Sequence, residues 1–387
     1  MRILQVLTYY RPHTSGLTIY VERLSKALAA RGHQVTVLTS RFDPTTPREE
    51  VVMGVRIIRV PVAARVSKGV LMPTFGFAAT RQVRTHNIVH LHLPQFDAAG
   101  VAFRARLFGK PAVLTYHCDL QLPPGLTNRA VNLVVNLMNH TAAMAAQRII
   151  TYTRDFADSS PLLRRYQPKV GTILPPVELP PSDPEAVAKL AATTGIGDRR
   201  PVIGMATRFA SEKGVEILLD ALPRIIERHP ETTVLFAGQY QGVMGEQRYF
   251  DRLAPTIKAL RDAGRWHFLG ILDPEEMAAY YPNLDLLVVP SLNSTESFGL
   301  VQIEAMMHGV PVVASNLPGV RQPVKITGMG TVAEIGDADD LASKMLEVLE
   351  DRDRFAGDPV EVTRRFTPNT CATNYEELYT SLRTDAR

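Results

Sequence analysis

Short apolar runs alternate with amphipathic helical stretches twice along this chain, and that alternation restricts the fold more than any other feature. In residues 1–175, Ile3–Thr8, Gln34–Thr39, Val55–Val60, Ile88–Leu91, Ala112–Thr115 and Arg148–Tyr152 read as strands. A second series follows: Val202–Met205, Thr233–Ala237, Trp266–Leu269, Asp285–Val289, Val312–Ala314 and Thr331–Val332. Runs such as Leu286–Val289 are apolar throughout, as strands covered on both faces must be. The cover comes from helices such as Tyr20–Ala30, which gathers Leu24 and Leu28 on one face. The pattern predicts an α/β fold with doubly wound parallel sheets, and in such sheets ligands bind beyond the carboxyl ends of the strands.

A length of 387 residues suggests two such domains. The boundaries are expected at 1–178 and 201–367. Between them, 179–200 reads as a connection holding a short helix, introduced by Pro175-Pro-Val-Glu-Leu-Pro-Pro-Ser-Asp-Pro184. A last helical pattern, in 368–387, runs through Tyr375, Leu378, Tyr379 and Leu382. Two cysteines, Cys118 and Cys371, make no disulfide framework and favour a reducing compartment. The N-terminal apolar run reads as a first strand, and no stretch approaches the ~20 apolar residues of a membrane span. A cytoplasmic protein is expected, soluble or peripheral on the inner face of a membrane.

Charge is unevenly spread. Residues 1–180 hold 22 basic and 9 acidic side chains, a net of +13, while the remainder holds 21 and 30, a net of −9. Such asymmetry points one domain at an anionic partner. Arg65, Lys68, Arg104, Arg106 and Lys110, together with the apolar-faced helix 126–146, suit an anionic membrane surface better than a nucleic acid.

The chemistry concentrates in Pro290-Ser-Leu-Asn-Ser-Thr-Glu296-Ser-Phe-Gly-Leu-Val-Gln-Ile-Glu304-Ala-Met-Met-His-Gly309-Val-Pro311. Leu286–Val289 is a strand, Val301–Met307 a helix, and Gly299 lies where that helix begins. N–H groups at a helix start accept an anion. Glu296 on the loop and Glu304 two turns into the helix flank that point. An anion site between acceptor carboxylates suits a ligand with phosphates in the middle and sugars at both ends, as in a nucleotide sugar.

These residues carry a resemblance. Glu-x7-Glu, followed by Glu-Ala-Met and Gly-x-Pro-Val, resembles the retaining glycosyltransferases of family 4 with the GT-B fold. Tyr9-Tyr-Arg-Pro12, Ser15-Gly16, Arg31-Gly-His-Gln-Val-Thr-Val37, Ile88-Val-His-Leu-His92, Thr115-Tyr-His117, Arg208, Glu212-Lys213-Gly214 and His267-Phe-Leu-Gly270 occur in the matching order. The resemblance implies two Rossmann-like, doubly wound parallel-sheet domains facing a central cleft. It also implies that the last helix rejoins the N-terminal domain. The implied activity is transfer of a hexose from a nucleotide diphosphate sugar, UDP- or GDP-linked, to a hydroxyl acceptor, with a lipid-linked glycan or glycolipid favoured.

The resemblance assigns Arg208 and Lys213 to the leaving diphosphate and Glu304 to the ribose. It assigns Glu296 to the transferred sugar, and the amides of Phe298, Gly299 and Leu300 to sugar and β-phosphate. Gly16 is expected at the β-phosphate, and His117 either at the sixth hydroxyl of the hexose or with its backbone carbonyl facing the reacting carbon. Gly238, Gly270 and Ile271 are expected to border the base. Asp119 and His92 are weaker candidates on the acceptor side. His90 and His92 are expected on opposite faces of their strand, His90 in the core and His92 toward the cleft. No metal or other cofactor is expected. Thr207 and Ser15 stand where relatives carry glycine, which puts the local loop shape in doubt. Alternatives are a nucleotide-sugar 2-epimerase, a disaccharide phosphorylase or synthase with a soluble acceptor, and a non-catalytic nucleotide-sugar-binding subunit.

Overall fold

The computed structural model describes residues 1–66, 69–121, 125–197 and 199–384, so Lys68 lies outside the described residues. The chain forms two compact units, Met1–Val177 with Phe366–Arg387, and Glu178–Arg365.

The first unit opens with β1 (Arg2–Val6), α1 (Gly16–Ala30), β2 (Gln34–Arg41), β3 (Glu49–Val52), β4 (Val55–Pro61) and the hairpin β5 (Ala64–Val66) and β6 (Gly69–Leu71). It continues with α2 (Phe75–Thr85), β7 (Ile88–Leu93), α3 (Ala98–Leu107), β8 (Ala112–Tyr116), α4 (Leu126–Ala145), β9 (Arg148–Thr151), α5 (Arg154–Ser159) and β10 (Val170–Thr172). Its sheet has the order β10-β9-β8-β7-β1-β2-β4-β3. All neighbours are parallel except β3, which pairs antiparallel with β4. The order reverses between β1 and β7. Strands β7 and β8 are buried along their whole length, including the polar side chains His90, His92 and Thr115. Strands β3, β5, β6 and β10 were not expected. Strand β3 is mostly exposed, carries two glutamates and joins β4 through Met53-Gly54, both at positive φ. A two-residue turn of that kind is the hairpin signal that its polar sequence obscured.

The second unit holds α6 (Pro184–Thr194), β11 (Val202–Ala206), α7 (Val215–Arg228), β12 (Thr233–Ala237), α8 (Gln247–Asp262), β13 (Trp266–Gly270), α9 (Pro274–Tyr280) and β14 (Leu286–Val289). Then come α10 (Leu300–Met306), β15 (Val312–Ser315), α11 (Gln322–Thr327), β16 (Gly330–Ala333), α12 (Ala338–Glu350) and α13 (Pro359–Phe366). Its sheet is wholly parallel, β13-β12-β11-β14-β15-β16, and reverses between β11 and β14. The stretch read as a connection is tied into this unit: Asn283 donates to the Val187 carbonyl at 3.1 Å, and Ser182 to that of Ala278 at 2.7 Å. Trp266 is a core residue, stacked on Phe236. Asp337 caps α12 and Asp351 caps a 3-10 turn.

From Phe366 the chain belongs to the first unit again, as α14 (Pro368–Thr384), which packs on α1. There it joins a buried polar network. The Tyr375 hydroxyl lies 2.8 Å from that of Tyr20 and 2.7 Å from Thr115 Oγ1. Thr115 is 2.6 Å from His90 Nε2, and Tyr379 is 2.7 Å from His90 Nδ1. Beside it, His92 Nε2–H donates to Gln5 Oε1 at 2.7 Å. The other His92 nitrogen then accepts from His117 Nε2–H at 3.0 Å, and His117 Nδ1 accepts from the Tyr152 hydroxyl. The chain of donors fixes one neutral tautomer for His92 and one for His117.

Burial lowers the pKa of His90 and His92 well below the ordinary value, and that of His117 to about 3. In the unfolded chain all three protonate near 6.5. The unfolded state therefore binds more protons below that value. Stability is complete above pH 6.5 and falls as the pH drops toward the folded-state values. Each ring is expected to cost about 1.4 kcal/mol at pH 5.5 relative to pH 7.5. Urea midpoints at the two pH values check this; a midpoint independent of pH would contradict neutral burial.

Candidate active site

The residues picked out in the second unit meet where its strand order reverses. Beyond β11, Thr207 N–H still bonds to the Ala237 carbonyl at 2.8 Å and Phe209 N–H to that of Gln239 at 2.7 Å. The chain then turns through Ser211–Lys213 into Gly214, which precedes α7. Gly214 has φ +68°, and a Cβ there would lie 2.1 Å from the Pro290 carbonyl oxygen. Only glycine permits that approach. Leu292 N–H adds a bond to the Glu212 carbonyl at 2.9 Å. The loops after β11 and β14 are thus pressed together, backbone on backbone.

This contact brings Lys213 to Glu296, Nζ to Oε2 at 2.7 Å. Their side chains are 13% and 26% exposed, so the pair is sheltered yet reachable. Thr207, Pro290, Ser291 and Val301 line the same small cavity. Asn293 shapes the Glu296 loop, its Oδ1 accepting from the Thr295 N–H at 3.1 Å and hydroxyl at 2.7 Å. Arg208 pairs with Glu212 and stays partly exposed.

Past Glu296 the chain is fixed from inside. Phe298 is buried, and Gly299, at φ +80°, precedes α10. A Cβ on Gly299 would lie 2.7 Å from Gln302 Nε2. That amide is wholly buried and donates to the carbonyls of Phe298 at 2.7 Å and Val320 at 2.9 Å. Leu300 begins the helix, and Glu304 lies on its second turn, 7% exposed. The Tyr281 hydroxyl donates to Glu304 Oε2 at 2.9 Å, and His308 Nδ1–H donates to the Glu304 carbonyl at 2.8 Å. At the neighbouring strand ends, Gly238 N–H bonds to the Gly270 carbonyl at 2.6 Å, and Ile271 stands exposed. Tyr281, Gln302 and His308 went unnoticed in the sequence. His308 follows Glu304 by one helical turn, and that spacing was the available signal.

In the first unit, the structure corrects the facing of His90 and His92 and places the other candidates. His90 and His92 do not lie on opposite faces: residues two apart on a strand share a face, and their rings are 4.3 Å apart. Both are wholly buried, so His92 does not line an open surface. His117 is 4% exposed with both ring nitrogens engaged by His92 and Tyr152, so its imidazole is a member of the buried network. Asp119 Oδ1 accepts from the Tyr116 hydroxyl at 2.9 Å and Ser160 at 2.7 Å, which ties it into the loop after β8. Gly16 is the first residue of α1, and Ser15 caps that helix by accepting from Thr18 N–H at 3.2 Å. A Cβ on Gly16 would meet nothing within 4 Å, so the fold itself does not demand glycine there. Among the described residues no group of three or more His, Cys, Asp or Glu is placed to hold a metal ion.

Residues 188–368 match the family model "Glycosyl transferases group 1", and residues 15–176 match "Glycosyl transferase 4-like domain". The chain is 25% identical over 394 residues to a phosphatidyl-myo-inositol mannosyltransferase of Mycobacterium leprae, covering 99% of this chain and 98% of the relative. It is 30% identical over 379 residues to a glycogen synthase of Mycobacterium tuberculosis, covering 91% and 86%. Among solved structures, Anabaena Alr3699/HepE in complex with UDP superposes with a TM-score of 0.76 at 21% identity, covering 98% of this chain and all of that one. This chain belongs to the group 1 glycosyltransferases of family 4, with the GT-B fold of two Rossmann-like domains.

Proposed function

We propose that this glycosyltransferase moves a hexose from a nucleoside-diphosphate sugar to a lipid-linked hydroxyl acceptor, with retention of anomeric configuration. The observation that carries the donor assignment is the meeting of Lys213, Glu296 and the start of α10 at the β11/β14 reversal. Ligands of open α/β sheets bind at such reversals. A UDP complex of the Anabaena neighbour supports a nucleotide donor.

In this proposal Arg208 and Lys213 neutralise the diphosphate as its bond to the sugar breaks, with the N–H groups around Phe298, Gly299 and Leu300 adding partial positive charge. Glu304 accepts from the ribose hydroxyls and Glu296 from the sugar, around its third hydroxyl. The backbone at Gly238, Gly270 and Ile271 borders the base. Gly16 lets the chain approach the β-phosphate. The loop carrying His117 and Asp119 serves the sugar and acceptor; His117 acts there through its backbone and the order its ring imposes. The acceptor proton passes to the departing phosphate oxygen on the same face. No general base and no metal ion is assigned a step.

Support for a lipid-linked acceptor comes from the name of the mannosyltransferase relative and from the surface of the first unit. Along α2, α3 and α4, Phe77, Phe103, Leu107, Leu133, Leu137 and Met144 are exposed. Arg81, Arg84, Arg106, Arg129 and Arg148 are exposed beside them, and no acidic side chain among the described residues 75–148 is exposed. Two residues expected on that surface have other ties: Arg104 bonds to Thr80 at 2.9 Å and the Gly100 carbonyl at 2.8 Å, and Arg65 to the Phe42 carbonyl at 2.7 Å. No helix among the described residues is long and apolar enough to cross a membrane. Peripheral attachment to an anionic leaflet fits an apolar, basic, acid-free helical layer. The glycogen synthase relative favours a second reading, a soluble glycan acceptor.

Arg208→Ala and Lys213→Ala are each expected to cut turnover about a hundredfold while leaving the fold intact. Initial rates with a UDP- or GDP-sugar, beside thermal unfolding curves, check this. Folded variants with near-normal turnover would exclude both cations from the diphosphate site.

Sedimentation with vesicles separates the acceptor readings. Each basic residue near an anionic surface contributes about 1 kcal/mol, screened by salt. Binding to phosphatidylserine-containing vesicles that weakens with salt, with little binding to neutral vesicles, is expected. Protein that stays in the supernatant throughout would favour the soluble acceptor.

A further inference from the structure

Two polar side chains near the donor site both hold Glu304: Tyr281 and His308. Tyr281 is wholly buried in the 3-10 turn that follows α9. His308 lies just beyond α10. Their rings stack, with centroids 5.4 Å apart and planes 24° apart. Each also holds a different end of one residue. The Tyr281 hydroxyl donates to the Glu304 carboxylate at 2.9 Å, and His308 Nδ1–H donates to the Glu304 peptide carbonyl at 2.8 Å. Tyr280, next in the chain, donates to the Leu235 carbonyl of β12 at 2.9 Å and anchors the turn to the sheet.

We infer that Tyr281 and His308 form a clamp that positions Glu304 toward the donor ribose and so sets affinity for ribonucleotides over nucleotides lacking the ribose hydroxyls. The inference rests on the proposed ribose role of Glu304. The physical case has three parts. A carboxylate as enclosed as Glu304 needs hydrogen-bond partners. A glutamate has three rotatable side-chain bonds, and a fixed donor at one oxygen selects one arrangement before ligand arrives; ordering that is complete beforehand costs nothing on binding. The bond from Tyr281 uses one of about four acceptor positions of the carboxylate. The stacked His308 ring in turn limits how far the tyrosine can swing, and its own bond steadies the helical turn that carries Glu304.

The test uses the full chain and four probes: UDP, GDP and their 2′,3′-dideoxy counterparts, measured by titration calorimetry. Tyr281→Phe and His308→Phe each remove one hydrogen bond and keep an aromatic ring. Tyr281→Phe is expected to weaken whichever ribonucleotide the protein binds by about 10-fold, and to leave the dideoxy form within about 2-fold. His308→Phe is expected to act in the same direction, more weakly. At saturating donor sugar, turnover is expected to stay near normal while KM for the donor rises. In a Glu304→Ala background, Tyr281→Phe is expected to add nothing.

Equal weakening of ribo and dideoxy forms would overturn the clamp in favour of a general packing role. Unchanged ribonucleotide affinity in both single variants, with Glu304→Ala still weakened, would overturn it while sparing the ribose assignment. Unchanged affinity in Glu304→Ala would remove the ribose assignment itself. If Tyr281→Phe does not fold, His308→Phe carries the same comparison.

Discussion

The candidate site depends on one close approach between backbones, Gly214 against the carbonyl of Pro290. A side chain at position 214 would occupy the space of that oxygen, 2.1 Å from where its Cβ would sit. Without the approach, the loops after β11 and β14 would separate and Lys213 would not reach Glu296. A cation and a carboxylate from segments more than eighty residues apart therefore meet because one residue lacks a Cβ. The parallel sheet makes the rest possible: β11 and β14 are neighbours, and both deliver their loops to the same edge. Function is placed by topology, and the glycine sets the last few ångströms.

The first unit solves a different problem. His90, His92 and His117 lie buried with Tyr20, Tyr152, Tyr375 and Tyr379, an arrangement that is expensive unless the polar groups find partners. The cost is met by pairing across elements distant in sequence: Tyr20 from α1, His90 and His92 from β7, Thr115 from β8, and Tyr375 and Tyr379 from α14. The C-terminal helix is thereby bound to this unit by directional bonds as well as by apolar packing. The consequence for chemistry is that His117 has no loose ring at its disposal. Its nitrogens serve neighbours, and burial keeps it neutral down to about pH 3.

Much of this was legible in the sequence, for physical reasons. Strands of a sheet covered by helices are rich in apolar residues, and all twelve expected strands exist, with ends shifted by a residue or two. The Glu296 to Glu304 segment showed its strand, loop and helix because Pro290, Gly299 and Gly309 punctuate it. Edge strand β3 was missed because its glutamates belong to an exposed strand that needs no apolar pattern. The shared face of His90 and His92 was misjudged, although strand alternation alone would have given it. Tyr281 and Gln302 were invisible for a better reason. Their roles come from tertiary contacts with Glu304 and Val320, and no local pattern encodes a partner eighteen or more residues away.

A structure of the full chain with its nucleoside-diphosphate sugar bound tests the central assignment most directly. The diphosphate is expected within hydrogen-bond distance of Lys213 Nζ and Arg208, with the ribose hydroxyls on Glu304 and the sugar against Glu296. A nucleotide bound instead at the β1/β7 reversal of the first unit, with the Lys213–Glu296 pair untouched, would contradict it.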